Sequence, residues 1–214
     1  MWMLAATVAG AADLVLDEAA GIHGACPAPG AGGRVFGTTW WPVGFSPDGA
    51  FASVALTTGD ALDEWVFRVQ SLVTDQELAA VRWSEPTDRT VAGFLAHDRE
   101  AIAAALTAHG IAPSEAVLAT LPAKRGERTY AVTTRAEPDE DPELPGRWVT
   151  TISDGTGSKV LDQRPARSVA VTGWLVSRSE PRAAVVLTQE QAAFEGTVNC
   201  RIVVVGAHLE TGFR

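Results

Sequence analysis

Residues 43–72 read VGFSPDGAFASVALTTGDALDEWVFRVQSL and decide the fold, because they predict three consecutive strands joined by a tight turn and a loop. The turn is Ser46–Gly49. Pro47 holds φ at about −65°, which suits the second position of a type I turn, and Gly49 can adopt the left-handed conformation that follows. A tight turn between two apolar segments makes the flanking strands antiparallel neighbours.

The strands after this turn differ in how they are covered. Residues 50–56 are apolar on both faces, so we expect a strand that is buried from both sides. Residues 57–64 are polar and predict a loop. Residues 65–70 alternate between apolar and polar side chains, which predicts a strand with one face in the core. Residues 75–83 fit either a short helix or a strand.

A similar layout returns near the C-terminus. Residues 177–182 predict a polar turn, residues 183–187 an apolar strand and residues 188–197 a loop. From residue 198 to residue 204 every second side chain is apolar, and Cys200 shares the inward face of this last strand. The chain therefore contains two strand–loop–strand units of similar design.

Residues 98–109 give the clearest helical pattern. An acidic N-cap begins the segment, and Gly110 follows its last turn, as at the C′ position of many helices. Ile102 and Leu106 lie one turn apart, so we expect this face to pack on the sheet. A second helical segment is predicted from residue 114 to residue 121, and the two would form a helical hairpin.

Further segments complete a mainly β pattern. Residues 149–153 and 159–161 flank a turn and predict a hairpin, and residues 168–176 predict another strand. We therefore predict a mainly β (α+β) protein, with antiparallel strands in two packed layers and one helical hairpin insertion at about 98–121. Residues 13–214 suit a single domain, and a complete propeller would leave no room for the helices.

The charge of the chain argues against two classes of partner. Its 214 residues are 46% hydrophobic and 20% charged, with a formal net charge of −9, which suits a globular protein with a core. The negative charge disfavours nucleic acid and anionic membrane surfaces, so we predict no nucleic-acid partner. No segment is long and apolar enough to span a membrane, which takes about 20 residues.

The N-terminus and the cysteines both bear on the compartment. Residues 1–12 are apolar, and Ala9-Gly10-Ala11 fits the pattern of a signal-peptidase site. Because a basic region is missing, this segment is either a truncated signal peptide or a buried first strand. Cys26 and Cys200 allow a single disulfide pairing, which would favour a periplasmic or secreted protein. In a cytoplasmic protein, the alternative, Cys200 would be a buried free thiol.

Several motifs, taken in order, resemble known bacterial sequences. GFSPDG (44–49) followed by WVFRVQSL resembles the strand–turn–strand units of TolB-like propeller proteins. The wider order, with REAIAAALTAHGI (99–111) and residues 183–209, resembles an uncharacterised family of predicted secreted bacterial proteins. In that family Phe-Glu-Gly precedes the final strand, as Phe194–Gly196 does here. The resemblance implies an extracytoplasmic location and no particular activity, and residues 120–165 depart from the family's pattern.

Side chains that could carry chemistry are few. The four histidines are not at the spacing of metal ligands, and we predict neither a metal nor another cofactor. The acidic residues 139–143 and the glycine-rich residues 30–33 are more typical of solvated loops than of a calcium or a phosphate site.

The candidate binding residues are Trp40, Trp41, Phe194 and Glu195. Adjacent strand residues point to opposite faces, so one tryptophan enters the core. The other is either covered by a second layer or exposed, where an indole can stack on a sugar or a peptide side chain. We therefore expect a non-catalytic extracytoplasmic protein that binds a protein or glycan partner. The alternative is a hydrolase-like enzyme whose site is assembled from distant residues.

Overall fold

The protein is a stack of three β-sheets with two helices on one side. The computed structural model describes residues 14–24, 26, 35–59, 63–84, 86, 88–114, 117–137, 146–192 and 197–214. The three sheets have six, four and four strands, and their pairs are antiparallel except for one short parallel pair. The predicted mainly β class is confirmed, and the structure adds a third sheet to the two predicted layers.

Sheet 1 contains the segment that decides the fold. Its order is β1-β3-β4-β5-β6, with β7 paired to β3. The strands are β1 Ile22–His23, β3 Thr38–Phe45, β4 Ala50–Thr57, β5 Glu64–Ser71, β6 Glu77–Ser84 and β7 Ala112–Pro113. The predicted turn between β3 and β4 is confirmed: the Ser46 hydroxyl accepts the N–H of Ala50 at 2.9 Å, and Gly49 has a φ of 82°. The ambiguous residues 75–83 form most of β6, a strand.

Two short helices cover one face of sheet 1. They are α1 Val91–His97 and α2 Arg99–Ala108. Ile102 and Leu106 are 2% and 3% exposed and pack beside Trp65 and Phe94, so the predicted inward face of α2 is confirmed. The Thr90 hydroxyl caps α1 by accepting the N–H of Gly93 at 3.0 Å.

The predicted helical segment after Ser114 is wrong, because residues 117–121 are not helical. Ala119 instead pairs with Trp174, donating its N–H at 2.9 Å and accepting the N–H of Trp174 at 3.0 Å. A segment this short forms a stable helix only when tertiary packing supports it. Here tertiary pairing favours the extended backbone, and the helix that accompanies α2 precedes it in the chain.

Sheets 2 and 3 are built from the C-terminal half of the chain together with one short N-terminal strand. Sheet 2 has the order β11-β10-β9-β8, and sheet 3 has the order β12-β13-β14-β2. Their strands are β2 Val35–Phe36, β8 Ala123–Arg125, β9 Arg128–Glu137, β10 Arg147–Ser153, β11 Ser158–Pro165, β12 Ser168–Val176, β13 Arg182–Ala192 and β14 Val198–His208. The predicted hairpin at residues 149–161 is confirmed as β10 and β11.

Sheet 3 is the middle layer of the stack. One of its faces packs with Trp40 and Phe51 of sheet 1, and the other packs with Tyr130 and Ile152 of sheet 2. Residues 183–187 of β13 are 0% exposed, because both faces are covered. The strand continues through Thr188–Ala192, where a loop was predicted, because each of these residues pairs with β14. Backbone pairing therefore prevails over the polar composition of this segment.

The two cysteines join the N-terminal segment to β14. The Cα atoms of Cys26 and Cys200 are 5.8 Å apart, and their sulfur atoms are at bonding distance, within the usual range for a disulfide. Cys200 is 1% exposed, on the inward face that the alternation predicts. The two-residue strand β2 pairs in parallel with Val198 and Asn199, next to this link.

Candidate functional site

A polar cleft lies between the outer face of sheet 1 and the edge of β14. Its volume is about 700 Å³. Strands β4, β5 and β6 form one wall, and residues 201–204 of β14 form the opposite wall with Arg164 of β11. The charged lining side chains are Glu64, Arg68, Asp75, Glu77, Arg164 and Arg201. Three cations and three carboxylates therefore line a neutral cleft on a protein of formal charge −9.

The alternation of β5 places polar side chains in this cleft. Trp65, Phe67 and Val69 point under the helices and are fully buried. Because successive strand residues point to opposite faces, Arg68 and Gln70 project from the other side. Sheet 1 thus has one fully apolar face, while its opposite face changes from core beside β3 to polar cleft beside β6.

Glu77 organises the charges on the sheet 1 wall. Its carboxylate accepts hydrogen bonds from Arg68 at 2.8 Å and from Arg82 at 3.0 Å. Partial burial alone would raise the pKa of Glu77, but the hydrogen bonds and positive charges of the two guanidinium groups outweigh it and lower the pKa. The carboxylate therefore stays ionised and holds both arginines against the sheet.

Gln70 and Asp75 hold the edge of β14. The Gln70 amide donates to the carbonyl of Val204 at 2.7 Å, and the Asp75 carboxylate accepts the N–H of Gly206 at 2.7 Å. Burial raises the pKa of Asp75, and the Gly206 hydrogen bond opposes that rise. Asp75 has a φ of 56°, a left-handed conformation that aspartate tolerates better than most residues. These two side chains therefore make hydrogen bonds to β14 that the backbone of a neighbouring strand would otherwise make.

The far wall of the cleft is held by a contact between sheets 2 and 3 and by an ion pair within β11. The Gln189 amide donates to the carbonyl of Pro165 at 3.0 Å, and Arg164 pairs with Asp162. Arg201 projects from β14 and is exposed. The wall therefore combines fixed polar groups with one exposed cation.

The structure buries both indoles of the predicted tryptophan site. Trp40 is 3% exposed and packs on Phe51, with ring centroids 5.9 Å apart. Trp41 is 2% exposed, and its ring N–H donates to the carbonyl of Asp17 at 3.0 Å. Helices cover one face of the strand and sheet 3 covers the other, so both indoles are core. Residues 194 and 195 lie outside the described residues, as do the N-terminal residues 1–12.

The acidic loop 139–143 and the glycine-rich residues 30–33 lie outside the described part of the chain. Within the part that is described, no group of three histidine, cysteine, aspartate or glutamate side chains could hold a metal ion. In the same residues, no helix has the length and apolar character that crossing a membrane would require.

Sequence reasoning missed the cleft. The alternation of Arg68 and Gln70 with buried neighbours marks one polar face of β5, but it does not show which other element faces it. Only the arrangement of the sheets brings Arg164 and Arg201 opposite that face. Comparison of the chain with models of protein families, with curated proteins and with solved structures found no match.

Proposed function

We propose that this chain is a non-catalytic extracytoplasmic protein that binds a protein or glycan partner in the polar cleft. The observation that carries the proposal is the cleft itself. A volume of about 700 Å³ lies within the usual range for ligand sites, and its walls present amides, hydroxyls, carboxylates and guanidinium groups. Such groups recognise peptide bonds, charged side chains and sugar hydroxyls by directed hydrogen bonds.

The proposed compartment rests on the cysteine pair. The sulfur atoms of Cys26 and Cys200 are at bonding distance. A disulfide favours an oxidising compartment, because cytosolic thiols are kept reduced. The apolar residues 1–12 and the resemblance to predicted secreted bacterial proteins agree with a periplasmic or secreted location. A direct check is to alkylate protein isolated from the periplasm without reductant and to determine its mass after denaturation. Two alkyl adducts would contradict the extracytoplasmic proposal and favour the cytoplasmic alternative.

Binding is tested with two defined probe sets, a displayed library of random heptapeptides and an array of soluble bacterial oligosaccharides. The full oxidised chain should retain members of one set. Arg201→Glu should lower the affinity for a retained ligand by about tenfold, a typical cost of reversing an interface charge. Arg178→Glu is the matched control, since Arg178 is an exposed arginine outside the cleft. The proposal would be contradicted if the protein retained no member of either probe set, or if Arg201→Glu and Arg178→Glu lowered the affinity equally.

A hydrolase-like activity is the alternative, and one observation favours it. Asp75 and Glu77 lie in the same cleft, and their environments shift their pKa values in opposite directions, as in acid–base pairs of hydrolases. It ranks second because both carboxylates already hold structure, one on the Gly206 amide and the other on two arginines. Turnover of a chromogenic glycoside or peptide substrate that is abolished by Asp75→Asn would favour the enzyme.

A further inference from the structure

Most of the outer edge of β14 lacks a neighbouring strand. One side of β14 pairs with β13 along its full length, from Val198 to His208. On the other side, β2 pairs only with Val198 and Asn199. From Cys200 onward, no strand among the described residues covers this side. It faces the cleft, because four consecutive residues, Arg201–Val204, line the cavity.

The direction of each backbone group on this edge follows from alternation. In an antiparallel pair, successive residues direct their N–H and C=O groups alternately toward the partner and away from it. The carbonyl of Val204 and the N–H of Gly206 point away from β13, because they bond to Gln70 and Asp75. The register is unbroken along β14, so Ile202 also points both backbone groups away from β13. Arg201 and Val203 point theirs toward it.

Within the described ranges, the N–H and C=O of Ile202 make no hydrogen bond on the side of the cleft. An exposed edge of this kind is a template for pairing with another chain. This one is bounded, because the pairing of β14 with β2 stops at Asn199 and the side chains of Gln70 and Asp75 bond to Val204 and Gly206. The gap spans four residues, Cys200–Val203, or about 13 Å of extended chain.

We propose that the cleft binds a partner protein through one of its extended segments, which adds a strand to β14 and pairs with the backbone of Ile202. This inference rests on the proposed function and specifies its partner class. The recess favours a single extended strand over the sheet edge of a second copy, because the outer face of β5 and β6 stands opposite the edge. A strand there can bond to both the N–H and the C=O of Ile202 through its own backbone, which a glycan lacks.

The lining also selects for a polar segment. A strand paired with β14 points alternate side chains toward the sheet 1 wall, where Arg68 and Glu77 lie, and toward Arg201. Because the lining holds equal numbers of cations and carboxylates, the segment that fits has alternating polar or charged residues rather than a block of one charge. The backbone supplies affinity, and these side chains supply selectivity.

The test combines amide exchange with a substitution on the edge. In the free, ¹⁵N-labelled protein, the Ile202 amide should exchange about tenfold or more faster than the amides of Arg201 and Val203, which bond to β13. A heptapeptide selected from the display library should slow the exchange of Ile202. Ile202→Pro removes the outward N–H, replaces a half-buried side chain and places its ring against the open edge, where a strand tolerates proline. It should abolish peptide binding, while the control Ile202→Val should retain it.

Each possible result either supports or overturns the inference that a partner strand pairs with β14. Slower exchange at Ile202 with bound peptide supports the inference, even if Ile202→Pro fails to fold. Peptide binding that leaves Ile202 exchange unchanged overturns the edge pairing but keeps the proposed binding function. Retention of oligosaccharides without any peptide overturns the inference and makes the protein a glycan binder. Dimerisation that protects Ile202 in the absence of peptide identifies a second copy as the occupant and overturns it. Failure of every probe removes the proposed function as well.

Discussion

Loss of the Cys26–Cys200 link is the perturbation with the largest expected effect on stability. Cys26→Ser is the most informative variant, because it removes the link and leaves Cys200 as a buried thiol, which behaves as a small apolar side chain. Cys200 is 1% exposed, so replacing that residue instead would add a packing change. The effect of Cys26→Ser therefore reports mainly on the cross-link.

The magnitude follows from the length of chain that the link encloses. The cysteines are 174 positions apart, and the chain-entropy treatment gives about 5 kcal/mol at about 25 °C for a loop of that size. Measured losses for native disulfides are typically about 2–5 kcal/mol, so we expect the variant to lose about 3–5 kcal/mol. For a domain stabilised by about 5–15 kcal/mol, this is a large fraction of the total.

The assay is urea unfolding followed by tryptophan fluorescence, with and without reductant. Reductant should lower the midpoint of the wild-type protein to that of Cys26→Ser and should leave the variant unchanged. This comparison separates the cross-link from the chemistry of the new side chain. A free energy of unfolding that is the same for oxidised wild type and variant, within about 0.5 kcal/mol, would refute the reasoning.

Three further predictions concern packing and charge. Leu106→Ala should cost about 2–5 kcal/mol in chemical denaturation, because Leu106 is 3% exposed; a loss below about 0.5 kcal/mol would contradict its burial. Gly206→Ala should destabilise strongly, since a Cβ would stand 2.6 Å from Leu72 Cα. Gly37→Ala is the control, because its Cβ would meet no described residue within 4 Å beyond its chain neighbours, and it should change the stability in a thermal melt by less than about 0.5 kcal/mol; equal effects of the two substitutions would refute this. Glu77→Gln should cost under about 1 kcal/mol at neutral pH. Because the pKa of Glu77 is lowered in the folded state, its carboxylate stabilises the protein above the usual pKa of 4.5, and this stabilisation is lost as the pH falls through the folded-state pKa. A stability difference between wild type and Glu77→Gln that grows on acidification would contradict this prediction.

Much of the secondary structure follows from local patterns. The turn at Ser46–Gly49, the strands on either side of it and helix α2 are predictable because each depends on residues close in sequence. Helix α1 was missed, since it has only seven residues and contains Gly93 in its interior. Residues 117–121 were predicted as helix because local propensity does not report the backbone partner, Trp174, that lies distant in the chain.

The candidate site was less predictable than the fold. Trp40 and Trp41 are conspicuous in the sequence, but burial depends on layers formed by distant segments, and both are core residues. The polar residues Arg68 and Gln70 are unremarkable in sequence, because alternating polar residues occur in any half-exposed strand. These two residues line a candidate binding site only because β14 and Arg164 form the opposite wall of the cleft.

The sequence by itself determined the β-rich class, the inward face of α2 and the unique pairing of two cysteines, since these follow from periodicity, turn chemistry and counting. The tertiary structure decided which face of each strand meets another sheet. It placed β14 so that its edge opens toward the polar face of β5, where no strand among the described residues pairs with the outer side of Ile202. Local propensities do not specify how sheets stack, because stacking depends on contacts between residues more than 100 positions apart, such as Gln70 and Val204 at a separation of 134.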